Sequence, residues 1–260
     1  MGRRLMIHAD AQGGTVEPAP ALRHSCALLV LTALWALVLP TLAPAMAMTA
    51  SRVTGADGST ALLLEGEIEQ GDAAKLIPVL QSAGVSEIWL NSRGGKVEES
   101  IPIGQAVRDL KMVTRVPGNS VCASACVDIL VGGVIRFVDP GGDVIIHPGS
   151  IAKKMTPLLV GQYRKALASG KDSKAVQKLV RDYLELLEQN ATQDAAIWTR
   201  HLTLMGVSID LVKYAAKVRH SCPILLTRPQ LIYLNIINTA GAPPQNYVLP
   251  EPVAECSEES

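Results

Sequence analysis

Glu87-Ile88-Trp89-Leu90-Asn91 runs straight into Ser92-Arg93-Gly94-Gly95, a short apolar strand pattern closed by paired glycines. A helical pattern then reaches Leu110, with Pro102 inside it, and Val113-Thr114-Arg115-Val116 reads as the next strand. The same alternation continues on both sides. Upstream, residues 61–68 read as a buried strand. They are followed by a helix from Asp72, its expected cap, to about Ser82, in which Leu76, Ile77, Val79 and Leu80 are apolar and Pro78 predicts a kink or a late start. Downstream, Pro117-Gly118-Asn119 marks a turn, and the small and apolar residues from Cys122 to about Val131 predict a buried helix closed by Gly132-Gly133. Residues 134–138 and 144–146 read as strands around the turn at 139–142. Strand, helix, strand, helix at this spacing predicts an α/β fold with a parallel sheet and right-handed crossovers.

After about Thr156 the pattern becomes helical. Val176, Leu179, Val180, Tyr183, Leu184 and Leu187 form one apolar face of a helix that Ser173 can cap, and helices are expected at about 193–205 and 209–218, with Gly206 ending the first. A last capped helix begins near Thr227. From Gly241 to residue 260 the chain is Pro-containing and then acidic, the composition of a disordered tail.

Length and charge narrow the function classes. The chain has 260 residues, 24 Lys+Arg against 24 Asp+Glu, and 48% apolar residues, enough to bury one sizeable core. Zero net charge argues against phosphate-driven nucleic-acid binding, and 3% aromatics argue against base stacking. No nucleic-acid partner is expected. The front of the chain reads differently. Arg23 precedes an uncharged run from 25 to 51 whose core, 27–39, is nearly all Leu, Ala and Val, followed by Ala43-Pro44-Ala45-Met46-Ala47. A cation, a short apolar core and small residues are the pattern of a secretory signal, with cleavage expected after Ala47 or Ala45. The alternative is an uncleaved N-terminal membrane anchor, the only membrane association expected; Pro40 and Pro44 shorten the core below a comfortable span. The expected division is therefore a signal at 1–47, a domain at 48–240 and a tail at 241–260, located in the periplasm or outside the cell.

Three segments concentrate the chemistry. Gly94 and Gly95, at a strand end, let backbone approach a ligand and turn N–H groups into one pocket, although a Gly-Gly turn is also common as plain structure. Ser124 lies between Ala123 and Ala125, small neighbours that leave room for a substrate; a helix cap is its structural explanation. His147 ends an apolar strand, and Pro148 turns the chain away. The carboxyl ends of parallel strands are where such folds place functional groups, and so where a general base would sit.

Taken in order, the Gly-Gly turn, the serine 29 residues beyond Gly95 and the histidine 23 residues after that resemble the proteolytic subunit of Clp protease. More widely they resemble the spiral ββα Clp-protease/crotonase fold shared with signal peptide peptidase A. Leu226-Thr227-Arg228-Pro229-Gln230-Leu231 is similar to that family's closing helix. The resemblance spans about residues 60–240. It implies an exported serine hydrolase, most readily a peptidase, with Ser124 as nucleophile, His147 as base, and the amides of Gly94 or Gly95 and of Ala125 as oxyanion donors. It also implies a peptide or protein substrate, a homo-oligomer, and no cofactor or metal.

This sequence departs from the family pattern in two places. Where the family carries the triad aspartate, residues 218–223 hold no carboxylate, so the third triad member is unknown. Asp194 and Asp210 are the nearest acids, and Lys165, Lys174 and Lys178 are candidates for a Ser-Lys arrangement that also read as a solvated helix face. Arg93 replaces the loop proline and adds a cation. A catalytically inactive binding or assembly module is the alternative reading. The cysteines offer one more. Cys122, Cys126 and Cys222 are disulfide candidates, the expected bridge running from the 122/126 pair to Cys222, while Cys122 and Cys126 with His220 and Cys222 also form a possible zinc set.

Overall fold

The structure, a computed structural model, describes residues 47–55, 58–149, 152–219, 221–239, 241 and 246–252. The expected signal segment, apart from Ala47, lies outside the described residues, as does His220. The elements in chain order are β1 (Thr49–Thr54), β2 (Thr60–Glu65), α1 (Asp72–Ser82), β3 (Glu87–Asn91), α2 (Val97–Asp109), β4 (Val113–Val116), β5 (Val121–Ala123), α3 (Cys126–Leu130), β6 (Ile135–Val138), β7 (Asp143–Ile146), α4 (Ala152–Ala168), α5 (Ser173–Leu204), α6 (Asp210–Ala216), β8 (Ile224–Leu225) and α7 (Arg228–Tyr233).

The strands form two sheets, one ordered β1-β2-β3-β4-β6 and one ordered β5-β7-β8. In the first, β2, β3, β4 and β6 are parallel and β1 is antiparallel at the edge. Register lines up Leu62, Ile88, Thr114 and Arg136 in one row across this sheet, and all four are buried. Alternation with period two therefore aims one side chain in two from each strand into a common core. Arg136 is a charge in that row. Its guanidinium donates to the carbonyls of Val131, Gly133, Met205, Asn235 and Ile236. Burial, and secondarily Arg108, lowers its pKa to about 10. Peptide dipoles thus take the place of a counter-ion.

The helices lie where the sequence spaces their apolar residues, with a few differences. Asp72 is the first residue of α1 and Gly71 its cap; the Asp72 carboxylate accepts from the N–H of Glu69 at 2.8 Å instead. Pro78 and Pro102 lie inside continuous helices. The two helices expected around 173–187 and 193–205 are one, α5, of 32 residues, capped by Asp172, whose side chain accepts from Ala175 N–H. Thr227 and Gln230 form a capping box at α7, as its sequence predicts. The α2–α3 contact depends on missing side chains. A Cβ on Gly132 would sit 2.3 Å from the Gly104 carbonyl oxygen, and one on Gly104 would sit 2.3 Å from that of Asp128. Within the stretch expected as a tail, Tyr247 packs at a tilt against Tyr233 with ring centroids 5.3 Å apart, and Glu251 pairs with Lys217.

Among the described residues no helix is long and apolar enough to cross a membrane.

Candidate active site

The second sheet gathers the three segments. Ser92, just past β3, makes a parallel bridge to Cys122: its N–H donates to Val121 at 2.7 Å, and the Ala123 N–H donates to Ser92 at 2.9 Å. On the other side of β5, Cys122 pairs with Val144 of β7 in parallel. Counting two residues on from this common row gives Gly94, Ser124 and Ile146, and His147 follows immediately. Three chain segments distant in sequence thus leave the sheet at the same end, side by side.

The close approach is visible in the glycine. A Cβ built on Gly94 would lie 2.5 Å from the Ala123 carbonyl oxygen, 2.7 Å from Ser124 Cβ and 2.9 Å from Ala125 N. No side chain fits there, and φ at Gly94 is 94°, a conformation that favours glycine. Gly95 has φ 142° and packs against Ile68, whose carbonyl accepts from Lys96 N–H. The two glycines differ in what their N–H groups do. That of Gly94 donates to Ser92 Oγ at 3.1 Å, so Gly94 contributes room, while among the described residues no protein acceptor receives the N–H of Gly95 or of Ala125.

Ser124 occupies a sharp strand-to-helix turn. Cys122 belongs to β5 and Cys126 opens α3, which corrects the expectation of one helix from Cys122 to Val131. Between them Ser124 has φ 54°, left-handed backbone that costs a non-glycine residue about 1–3 kcal/mol. Its N–H donates to Ile145 of β7 at 2.9 Å, and its carbonyl accepts from Val127. It is the one residue of 122–133 that is not buried. The turn therefore leaves Ser124 as the single partly exposed residue of an otherwise closed stretch.

His147 is half-buried beyond the end of β7, with Nδ1 2.9 Å from the Pro148 carbonyl oxygen. A carbonyl only accepts, so this contact assigns the proton to Nδ1 and makes Nε2 the basic nitrogen. The sequence reading missed this backbone partner, for which the sequence carries no signal. Of the acids and lysines considered from sequence, Asp210 bonds to Lys213 at 2.8 Å and to the Tyr233 hydroxyl at 3.2 Å. Lys178 pairs with Asp182 along α5, and Asp194, Lys165 and Lys174 are exposed on their helices.

The cysteines correct the expected pairing. Cys122 and Cys126 are bonded to each other, Cα atoms 5.2 Å apart, and Cys222 is itself disulfide-bonded. A sulfur forms one such bond, so neither Cys122 nor Cys126 reaches Cys222. Bridged sulfurs are not thiolates, so the zinc set built on them falls too. Among the described residues no cluster of His, Cys, Asp and Glu is arranged to hold a metal.

Behind the serine turn lies a polar node not read from the sequence. Asp128 of α3 accepts from Ser100 Oγ at 2.7 Å and from Trp198 Nε1 at 2.8 Å. Burial, against those two hydrogen bonds, pushes its carboxyl up to about 7. His201 Nε2 lies 3.0 Å from the Asp128 carbonyl oxygen, which makes Nε2 the donor and leaves Nδ1 a buried acceptor with no partner among the described residues. Burial foremost lowers the pKa of His201, so the imidazole is held neutral. The signal was present: Asp128 is the sole charge between Arg115 and Arg136.

No protein-family model matches the chain, and no curated protein matches it. Among solved structures it is similar to a point mutant of ClpP1 from Listeria monocytogenes at 19% identity, covering 68% of this chain and 88% of that one, with a TM-score of 0.40. It is also similar to a point mutant of the 1510-N membrane-bound stomatin-specific protease at 18% identity, covering 46% of this chain and 67% of that one, with a TM-score of 0.27.

Proposed function

We propose that the protein is an exported serine hydrolase of the Clp-protease/crotonase architecture, acting on the carbonyl of a peptide. One observation carries the reading. Gly94, Ser124 and Ile146-His147 stand in register at one end of three neighbouring strands, and Ser124 is the one residue of its turn that is not buried.

In this reading Ser124 Oγ attacks the carbonyl carbon while His147 Nε2 takes its proton. The Pro148 carbonyl holds the imidazole in the required tautomer, the orienting task that a carboxylate performs in the family triad. The N–H groups of Gly95 and Ala125 receive the oxyanion, each such donor being worth about 3–4 kcal/mol of barrier. The imidazolium then protonates the leaving amine, and water, activated by the same nitrogen, releases the acyl group. The N-terminal signal pattern and the Cys122–Cys126 disulfide support an oxidising location. Exposed Leu158, Leu167, Leu184 and Ile197 on α4 and α5 support self-association.

The test is covalent labelling by a fluorophosphonate, in which the serine oxygen displaces fluoride from phosphorus. The folded protein is expected to take up one equivalent. Ser124→Ala is expected to take up none, and His147→Gln to react about 10²–10⁴-fold more slowly. A folded wild-type chain that takes up no reagent belongs instead to the non-catalytic binding module.

A further inference from the structure

The Cys122–Cys126 bridge spans only the three residues around Ser124. A cross-link that stabilises a whole domain usually joins distant segments, because the entropy removed from the unfolded chain grows with the loop it closes. This one closes about the smallest useful loop, and its two ends are the residues that fix the serine. Cys122 is held in β5 between Ser92 and Val144, Cys126 is the first residue of α3, and both are fully buried. Fixing the distance between them fixes the chord across which the turn must bulge.

Apart from backbone hydrogen bonds and the packing on Gly94, no side chain among the described residues but the disulfide holds that turn. Ala123 and Ala125 offer no side-chain hydrogen bond, and α3 starts without a side-chain cap. Ser124 adopts its left-handed φ with only two backbone bonds, one to Ile145 and one from Val127. The geometry points to the disulfide as a positioning device that holds the Ser124 turn in its reactive shape, acting on the site more than on the stability of the domain. This rests on Ser124 being the nucleophile. Burial of both sulfurs makes the clamp constitutive in the folded protein.

The experiment compares the wild-type chain with C122A/C126A and, to keep buried apolar volume, C122V/C126A. Amide hydrogen exchange is followed across residues 120–130 and across β3 and β4, and fluorophosphonate labelling is timed on the same samples. Removing a five-residue ring is expected to raise exchange throughout the core, β3 and β4 included, by up to about thirtyfold, and to speed exchange at the Ser124 and Val127 amides by at least about tenfold more than that. Labelling is expected to slow by about 10–10²-fold. Unchanged exchange at the turn, exchange raised equally throughout, labelling at the wild-type rate despite a loosened turn, or failure of both variants to fold would each overturn the clamp. If the wild-type protein is not labelled at all, the hydrolase reading falls, and the exchange comparison still decides whether the bridge holds the turn.

Discussion

Replacing Gly94 by alanine tests the close approach on which the site depends. The added methyl carbon would meet the Ala123 oxygen at 2.5 Å, Ser124 Cβ at 2.7 Å and Ala125 N at 2.9 Å, against an ordinary contact distance of about 3.5–4 Å. None of these atoms is the end of a flexible side chain. Ala123 is tied to Ser92, and Ser124 to Ile145 and Val127, so relief has to come from moving the serine turn or the glycine loop. Overpacking of this kind costs about 1–3 kcal/mol, and alanine at a φ of 94° adds about 1–2 kcal/mol. Gly84→Ala separates the two contributions, since Gly84 has φ 63° but nothing within 4 Å of its would-be Cβ. Urea unfolding is expected to show Gly84→Ala weaker by about 1 kcal/mol and Gly94→Ala by about 2–5 kcal/mol. Fluorophosphonate labelling of folded Gly94→Ala is expected to fall about 10²-fold, the cost of misplacing a reacting group by about 1 Å. Equal stability losses for the two variants, with normal labelling of Gly94→Ala, would refute the packing argument.

Two further outcomes concern the buried charges. Asp128 titrates near pH 7 in the fold against an ordinary 3.8, so between about pH 4 and 7 the folded chain keeps a proton that the unfolded chain has released. Its contribution to stability therefore falls as pH rises through that window. The stability of wild type minus that of Asp128→Asn, measured by urea unfolding, should decrease by on the order of 4 kcal/mol from pH 4 to 7, a pH-independent difference contradicting this; taking the difference also removes most of the contribution of His201. Arg136→Met leaves the carbonyls of Asn235 and Ile236 without their guanidinium, while Arg108 still serves Val131, Gly133 and Met205. A loss of about 2–4 kcal/mol is expected in urea unfolding, and a loss below about 1 kcal/mol would show that water takes over these carbonyls.

The parallel strands were legible in the sequence because burial writes them plainly. β3 and β4 have the bounds that their apolar residues and flanking turns predict, and the order glycine, serine, histidine followed from the strand ends. The serine turn was harder. Val121-Cys122-Ala123 is too short to show a period of two, and it runs into Cys126–Leu130 with no polar residue between the apolar ones except Ser124 and Asp128, so strand, turn and helix read as one buried segment. That misreading also hid the disulfide, since on a continuous helix the two cysteines share a face and look outward for a partner. β1 was missed because its TASRVT sequence is an edge strand with little burial. The break expected between two helices near residue 190 is absent because Asn190, Thr192, Gln193 and Asp194, polar as they are, lie on a largely exposed helix, where such residues cost little. The partner of His147 Nδ1 is a backbone carbonyl, and side-chain patterns carry no information about that.

The most direct measurement is a crystal structure of the fluorophosphonate-treated protein. Phosphorus is expected on Ser124 Oγ, with His147 Nε2 within hydrogen-bond reach of that oxygen and the phosphoryl oxygen accepting from the N–H groups of Gly95 and Ala125. An adduct on another residue, or a Ser124 adduct whose phosphoryl oxygen points away from both amides, would contradict the proposed mechanism.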